Sequence, residues 1–296
     1  QSLQIMTDRR YEQLSWTIGD VTITRLVEVV IKAPINSLFP ERSANELTAY
    51  DDWLRPNFLD EDGDMKLSIH AFLIRAGELN IIVDTCAGNG KKLPLYEEWV
   101  DLNTPFLENM AALGFPADKI DRVLCTHLHF DHVGWNTHKV DGEWIPTFPN
   151  ARYLFGATEW DFWKDEEDPY ESNALDHALK PIFEANLVDL VDSTHQICDE
   201  ISLIPTPGHT PGHVSIHIQS QGEEAVITGD MFHHPLQMAK PGWIDAADTE
   251  SNLAEKTRIE FMQRFGDTKT TVLGTHFATP TAGKIVSDGP GYKFEN

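Results

Sequence analysis

Positive charge is scarce in this chain: 23 lysines and arginines stand against 47 aspartates and glutamates, a formal net charge of −24. That field repels phosphate backbones, and no lysine or arginine cluster offsets it locally, so no nucleic-acid partner is expected. Long apolar runs are also missing. The longest are strand-sized, such as Asn80-Ile-Ile-Val83, too short to cross a bilayer, and no membrane partner is expected. No charged-then-apolar secretory segment opens the sequence, so the expectation is cytoplasmic, with an export segment ahead of Gln1 left open. Cysteines are few, widely spaced and odd in number (Cys86, Cys125, Cys198). They form neither a disulfide framework nor a CxxC site, and each reads as a small buried apolar residue. Histidine is abundant instead, with 13 in 296 residues.

The remaining composition is that of a globular chain without low-complexity tracts. Strand-like runs at 14–18 and 21–26 flank Gly19-Asp20, and runs at 67–74 and 79–84 flank Ala76-Gly77-Glu78, which predicts two hairpins. Residues 35–62, rich in Pro, Asn and Asp, read as a long irregular connection, so 1–62 is expected to be an N-terminal hairpin with an irregular extension. Thr104-Pro105 predicts a helix start, with Leu107, Met110 and Leu113 as its stripe and Gly114 as its stop. Further strands are expected at 122–126, 152–155, 201–205, 214–218 and 225–228, with 272–273 the last. Residues 156–190 read as a helical insertion, and 252–265, with Leu253, Thr257, Phe261 and Phe265 at four-residue spacing, as a helix. No stretch has linker composition, and hairpins alternate with helices throughout. The expectation is one α/β domain with mixed sheets over 1–296.

Four predicted strands each deliver a histidine or aspartate just beyond their C-terminal ends, where α/β folds place their chemistry. These are His127, the loop carrying His213, Asp230 after Gly229, and His276 after Gly274-Thr275. Within His127-Leu-His129-Phe-Asp131-His132, four ligand-type side chains fall in six residues. In an extended stretch His127 and His129 face one way, suiting two imidazoles on one ion. As the chain turns, Asp131 and His132 point toward a neighbouring ion. Imidazole and carboxylate without thiolate suit zinc, and also iron, manganese or cobalt. A lone His-x-His pair is common by chance, but the six-residue string followed by Gly-His, Gly-Asp and Gly-Thr-His is not.

These residues resemble the signature of the metallo-β-lactamase fold superfamily, whose His-x-His-x-Asp-His is matched by 127–132. Its later Gly-His is matched at Thr210-Pro-Gly-His213, its bridging Asp at Thr228-Gly-Asp230 and its last His at Gly274-Thr-His276. The resemblance implies a four-layer αβ/βα sandwich of two facing mixed β-sheets with the site at one edge. It implies two divalent metal ions, normally Zn2+: His127, His129 and His213 on one, Asp131, His132 and His276 on the other, and Asp230 bridging. Such a pair can share a water and generate a hydroxide nucleophile near neutral pH, with Asp131 also orienting it or passing its proton on.

Other residues are less telling. His209, four residues before His213, could bind equally well, but the match favours His213 and leaves His209 to the loop. Asp84 can orient a ligand or simply end its strand. His70 and His217 fall within strand patterns and read as structural; His138, His177 and His195 have no companion at ligand spacing. His233 and His234, just beyond Asp230, read either as groups at the mouth of the site or as loop histidines. Trp160 and Trp163 head an aromatic, acidic segment running to Tyr170 that could line an apolar pocket.

The pattern is similar to N-acyl-homoserine lactonases and methyl-parathion-hydrolase-like members, with one departure. Those lactonases carry a Tyr three residues after the bridging Asp, and this chain has His233. The resemblance implies a hydrolase of a small lactone or carboxylic ester, with catalytic residues Asp131, Asp230 and His233. Phosphotriester or β-lactam hydrolysis, or a catalytically silent metal-binding protein, are the alternatives, and a homodimer is an open possibility.

Overall fold

The computed structural model describes the backbone of residues 4–6 together with residues 12–91, 102–166 and 174–296. Among the described residues, one eight-stranded sheet runs in the order Gln4–Met6, Val21–Ala33, Met65–Ala76, Leu79–Val83, Arg122–Leu124, Arg152–Gly156, Val188–Val191, with Ser15–Ile18 also paired to Val21–Ala33. Both predicted hairpins form, on turns where Gly19 and Gly77 adopt φ of 55° and 58°, a region open to glycine at no steric cost. From Leu79–Val83 onward the neighbours are parallel, so the C-terminal ends of these strands share one edge.

The second sheet runs Gln196–Cys198, Ile201–Pro205, Val214–Ser220, Glu223–Ile227, Thr271–Leu273, Ala282–Asp288, Gly291–Glu295. Glu223–Ile227 and Thr271–Leu273 are parallel, with the helix Ser251–Phe265 as their crossover. The segments after these two strands therefore leave by the same edge, which brings Asp230 and His276 together.

Three apolar clusters make four layers. Between the sheets lie Ile74, Ile81 and Leu124 against Val214, Ile216 and Ile227. Phe106, Met110, Trp163 and Ile182 cover the outer face of the first sheet. Phe39, Phe58, Phe261 and Phe265 cover that of the second. Fully burying a phenylalanine of this kind contributes about 1.5–3 kcal/mol. The expected αβ/βα sandwich is the architecture observed.

Several local expectations are corrected. Residues 35–62 are not wholly irregular: short helical turns form at Ile35–Leu38, Ala44–Tyr50 and Asp51–Leu54, their buried Ile35, Leu47 and Leu54 packing onto the second sheet's cluster. The N-terminal hairpin forms as expected and belongs to the first sheet: Val21–Ala33 is buried along most of its length and pairs with Met65–Ala76 from Thr22 to Ala33. Thr271–Leu273 is not the last strand; a hairpin of Ala282–Asp288 and Gly291–Glu295 follows, sealed by Ile285 and Phe294. Within 156–190 the helices Ala157–Trp163 and Lys180–Glu184 form, but the stretch runs into the strand Val188–Val191. Its Tyr170 lies outside the described residues.

Candidate metal centre

For His127, His209, His132 and His276 the partner at Nδ1 places a proton there, and so sets where Nε2 points. Asp84, just past the strand Leu79–Val83, is buried and accepts Thr126 N–H (2.8 Å) and Thr126 Oγ1–H (2.8 Å). The Thr126 hydroxyl has then given up its one proton, so it accepts from His127 Nδ1–H at 3.0 Å. His127 Nε2 is left with a lone pair. His209 Nδ1–H donates to Asp248 Oδ1 (3.0 Å), which leaves its Nε2 a lone pair as well. These two nitrogens lie 3.2 Å apart, and each is 3.0 Å from His129 Nδ1.

A second group forms alongside. His132 Nδ1–H donates to Asp84 Oδ2 (2.9 Å), and His276 Nδ1–H to the Ser68 carbonyl (3.0 Å). Their Nε2 atoms face Asp230, at 3.0 Å from Oδ2 and 3.0 Å from Oδ1 respectively. Asp131 Oδ2 stands 3.5 Å from His132 Nε2 and 3.4 Å from His276 Nε2. Asp230 touches both groups, with Oδ2 also 3.5 Å from His127 Nε2 and 3.5 Å from His209 Nε2.

The donor set suits cations. Burial pushes His127 and His209 well below the ordinary imidazole range and His129 down to about 4, so these rings are neutral near pH 7, the form that binds metal. The lone pairs of His127 Nε2 and His209 Nε2, 3.2 Å apart, repel unless a cation or a proton sits between them. The second group makes the same demand with carboxylates. Burial works against a charge on His132, yet Asp230, Asp131 and Asp84 hold its pKa well above normal. Asp230 Oδ1 is buried without a well-formed hydrogen bond.

Two donor groups thus share Asp230, His127, His129, His209 with Asp230, and Asp131, His132, His276 with Asp230, and a third, His209, His233 and Asp248, lies beside them. Six of the seven ligands expected from sequence come together. His213 does not. Its Nδ1–H donates to the Thr206 carbonyl (3.0 Å), and its Nε2 accepts Asp230 N–H (2.9 Å), so both nitrogens are spent on backbone. His209 stands in its expected place. The spacing alone cannot separate the two, because both histidines follow a Pro-Gly pair in the same loop.

His233 lies beside the bridge, with Nε2 3.2 Å from Asp230 Oδ2 and Nδ1 2.6 Å from Asp245 Oδ2. Its ring is stacked on that of His276, 5.7 Å away. His234 turns away: Nε2–H donates to the Phe58 carbonyl (2.9 Å) and Nδ1 accepts Leu236 N–H (3.2 Å). Trp163 packs its ring 5.3 Å from His129, whereas Trp160 packs on Phe183 at 4.4 Å. His129, Phe130 and Asp131 are the partly exposed members of the motif and mark its opening.

Sequence reading missed the supports. Glu159 is buried and accepts Leu128 N–H (3.1 Å), Gly212 N–H (3.0 Å) and Trp163 Nε1–H (2.7 Å), which ties the 127–132 segment to the loop of His209. Asp245 and Asp248 hold His233 and His209. In a chain with 47 acidic residues nothing in their local spacing marks them.

A sequence description of the metallo-beta-lactamase superfamily matches residues 65–276, which takes in both donor groups. Among curated proteins, an N-acyl homoserine lactonase of Bacillus thuringiensis is 26% identical over 115 residues, 39% of this chain and 39% of the relative's own length. Among solved structures, AidC, a dizinc quorum-quenching lactonase in complex with a product, N-hexnoyl-L-homoserine, superposes with TM-score 0.78 at 24% identity, over 95% of this chain and 96% of that one. The hydrolase AbOPH, of the beta lactamase superfamily, superposes with TM-score 0.77 at 26% identity, over 96% of each chain. The superfamily and these neighbours are metal-dependent hydrolases, lactonases among them. On the match across 65–276, the motif it contains and the four-layer fold, the chain belongs to the metallo-beta-lactamase superfamily.

Proposed function

We propose that this protein is a two-metal hydrolase that opens a lactone or cleaves a small carboxylic ester. One observation carries the reading: partners fixed by the fold hold Nδ1 of His127, His209, His132 and His276 and so turn their Nε2 atoms toward the two sides of Asp230. His127, His129 and His209 would hold one ion, Asp131, His132 and His276 the other, and Asp230 would touch both. Zn2+ fits this mixture of imidazole and carboxylate best, with Fe, Mn or Co as alternatives. When bound, such ions lower the pKa of a shared water toward neutrality and polarise a carbonyl, which removes the need for a serine or cysteine nucleophile.

The chain's own groups supply the rest. Asp230 carries its charge into the centre, because burial is outweighed by His132, His276 and His233, which hold its carboxyl well below the usual range. Asp131, at the opening, is placed to orient the attacking group. His233, backed by Asp245, presents Nε2 where it can hold a proton for the leaving oxygen. Phe130, partly exposed, lines the opening with apolar surface over Trp163 beneath His129, and the net charge of −24 opposes polyanionic substrates. Both features favour a small neutral ester.

Elemental analysis of the purified protein, paired with a panel of lactones, aryl esters, phosphotriesters and nitrocefin, tests this. Near two equivalents of metal and fastest turnover on a lactone or ester are expected. Fewer than one equivalent, with His127→Ala changing nothing, sinks the metal reading. Phosphotriester turnover well above every lactone and ester sinks the substrate assignment alone.

A further inference from the structure

Two of the rings that face Asp230 are held by one short loop. Asp245 and Asp248 lie three residues apart between Lys240 and the helix Ser251–Phe265. Asp248 Oδ1 accepts His209 Nδ1–H at 3.0 Å; Asp245 Oδ2 accepts His233 Nδ1–H at 2.6 Å. The second oxygens are also in use. Asp248 Oδ2 pairs with Arg258 Nη2, and Asp245 Oδ1 accepts Ala247 N–H at 2.9 Å.

The loop is itself anchored on three sides. Arg258, the largest fully buried side chain, donates from Nε to the Met231 carbonyl (2.9 Å), beside Asp230, and from Nη1 to the Pro241 carbonyl (3.3 Å) at the loop's start. Thr249 N–H and Glu250 N–H donate to the carbonyls of His209 and Gly208, each at 2.9 Å. Gln237 Nε2–H donates to Asp245 Oδ2 (3.0 Å), while its Oε1 accepts His233 N–H (2.7 Å). A buried arginine needs one carboxylate to offset its charge. That need accounts for Asp248 Oδ2, but not for Oδ1 on His209 nor for Asp245.

We infer that residues 241–250 form a positioning loop for the centre, with Asp248 setting the ring of His209 and Asp245 setting the ring of His233. The inference rests on the two-metal reading above. A carboxylate on the far nitrogen fixes the tautomer and orientation of a ligating imidazole and raises its basicity, and its removal typically costs about 10–100-fold in metal affinity. The two aspartates therefore have separable effects. Asp248 governs how tightly the ion on His127, His129 and His209 is held; Asp245 governs a ring that serves the reaction rather than either ion.

The test loads the metal-free full-length chain with Co2+ and follows its visible absorption under competition by a chelator. Asp248→Asn, close in shape to the native side chain, should weaken one of two cobalt equivalents about 10–100-fold and leave the other in place. Asp245→Asn should keep both equivalents at wild-type affinity and lower kcat on the best ester with KM little changed. If Asp248→Asn lowers only the melting temperature and both ions resist the chelator as in wild type, the loop is a structural tie and the inference is wrong. Equal weakening of both ions by Asp245→Asn also overturns it. Should Asp248→Asn not fold, Asp248→Glu, which keeps the charge, replaces it and must show the same selective loss at smaller size. A wild-type chain that takes up no cobalt removes the two-metal reading and this inference together, an outcome distinct from wild-type loading with unaltered variants.

Discussion

The loop after Ile201–Pro205 and the segment after Glu223–Ile227 each carry two histidines, and in each only one faces the centre. His209 turns inward while His213 is spent on Thr206 and Asp230 backbone. His233 turns inward while His234 is spent on Phe58 and Leu236 backbone. All four rings are buried, so burial does not distinguish them. What does is the partner of the second nitrogen. In these two pairs the inward ring has a carboxylate on Nδ1, which leaves Nε2 to face the centre, and the spent ring has backbone on both atoms. Histidine of the first kind is placed for the proposed chemistry, and histidine of the second kind replaces backbone hydrogen bonds that an irregular segment cannot otherwise make.

The sharpest way to break this comparison is within the first pair. His209→Ala should lose one of two metal equivalents and cut ester turnover by more than about 100-fold, beyond what loss of a supporting partner usually costs. His213→Ala should keep both equivalents while unfolding more readily in urea by roughly 2–3 kcal/mol, since Asp230 N–H is left buried and unpaired. The opposite pattern in metal content and urea midpoint would restore His213 as the ligand. Within the second pair, His233→Phe should retain both ions and lose about 100-fold in kcat, the usual scale for a proton-handling side chain. A variant that loses an ion instead would make His233 a ligand. The last test concerns His234 and reads stability alone. Burial lowers its pKa to about 4, against the backbone bond from its ring to Phe58. The unfolded chain, with an ordinary value near 6.5, takes up that proton first. This ring's contribution is therefore present above about pH 6.5 and lost as pH falls through 4, roughly 3 kcal/mol in all. Urea midpoints at pH 7 and pH 4.5 should show a steeper fall for wild type than for His234→Gln, and parallel falls would count against it.

Much of the candidate site was legible because its proposed ligands follow strand ends in a fixed order. Alternating apolar residues located the strands, and Gly274-Thr-His276 and Gly229-Asp230 follow theirs directly. The choice between His209 and His213 was not legible, because it is made by Asp248 and by Asp230 N–H, remote in sequence from both. The strand Val188–Val191 was missed for a related reason: its side chains are only partly buried, and it owes its state to parallel pairing with Arg152–Gly156. The final hairpin was overlooked because Ala282–Asp288 mixes Gly, Lys, Ser and Asp, and only Ile285 is fully buried within it.

Gly229 adopts φ +58°, and a Cβ there would come within 2.5 Å of His213 Nε2. The ring that accepts Asp230 N–H is thus also the floor beneath the preceding residue. In terms of permitted variation, position 229 is closed twice over: a side chain there meets His213 and Thr126 Cβ (3.1 Å), and φ of +58° strains it even where 213 is made smaller, an exchange that also leaves the amide of Asp230 bare. A library that randomises position 229 alone should return little but glycine, so the substrate range of this enzyme is better explored from the partly exposed Phe130 than from the glycine beside its bridge.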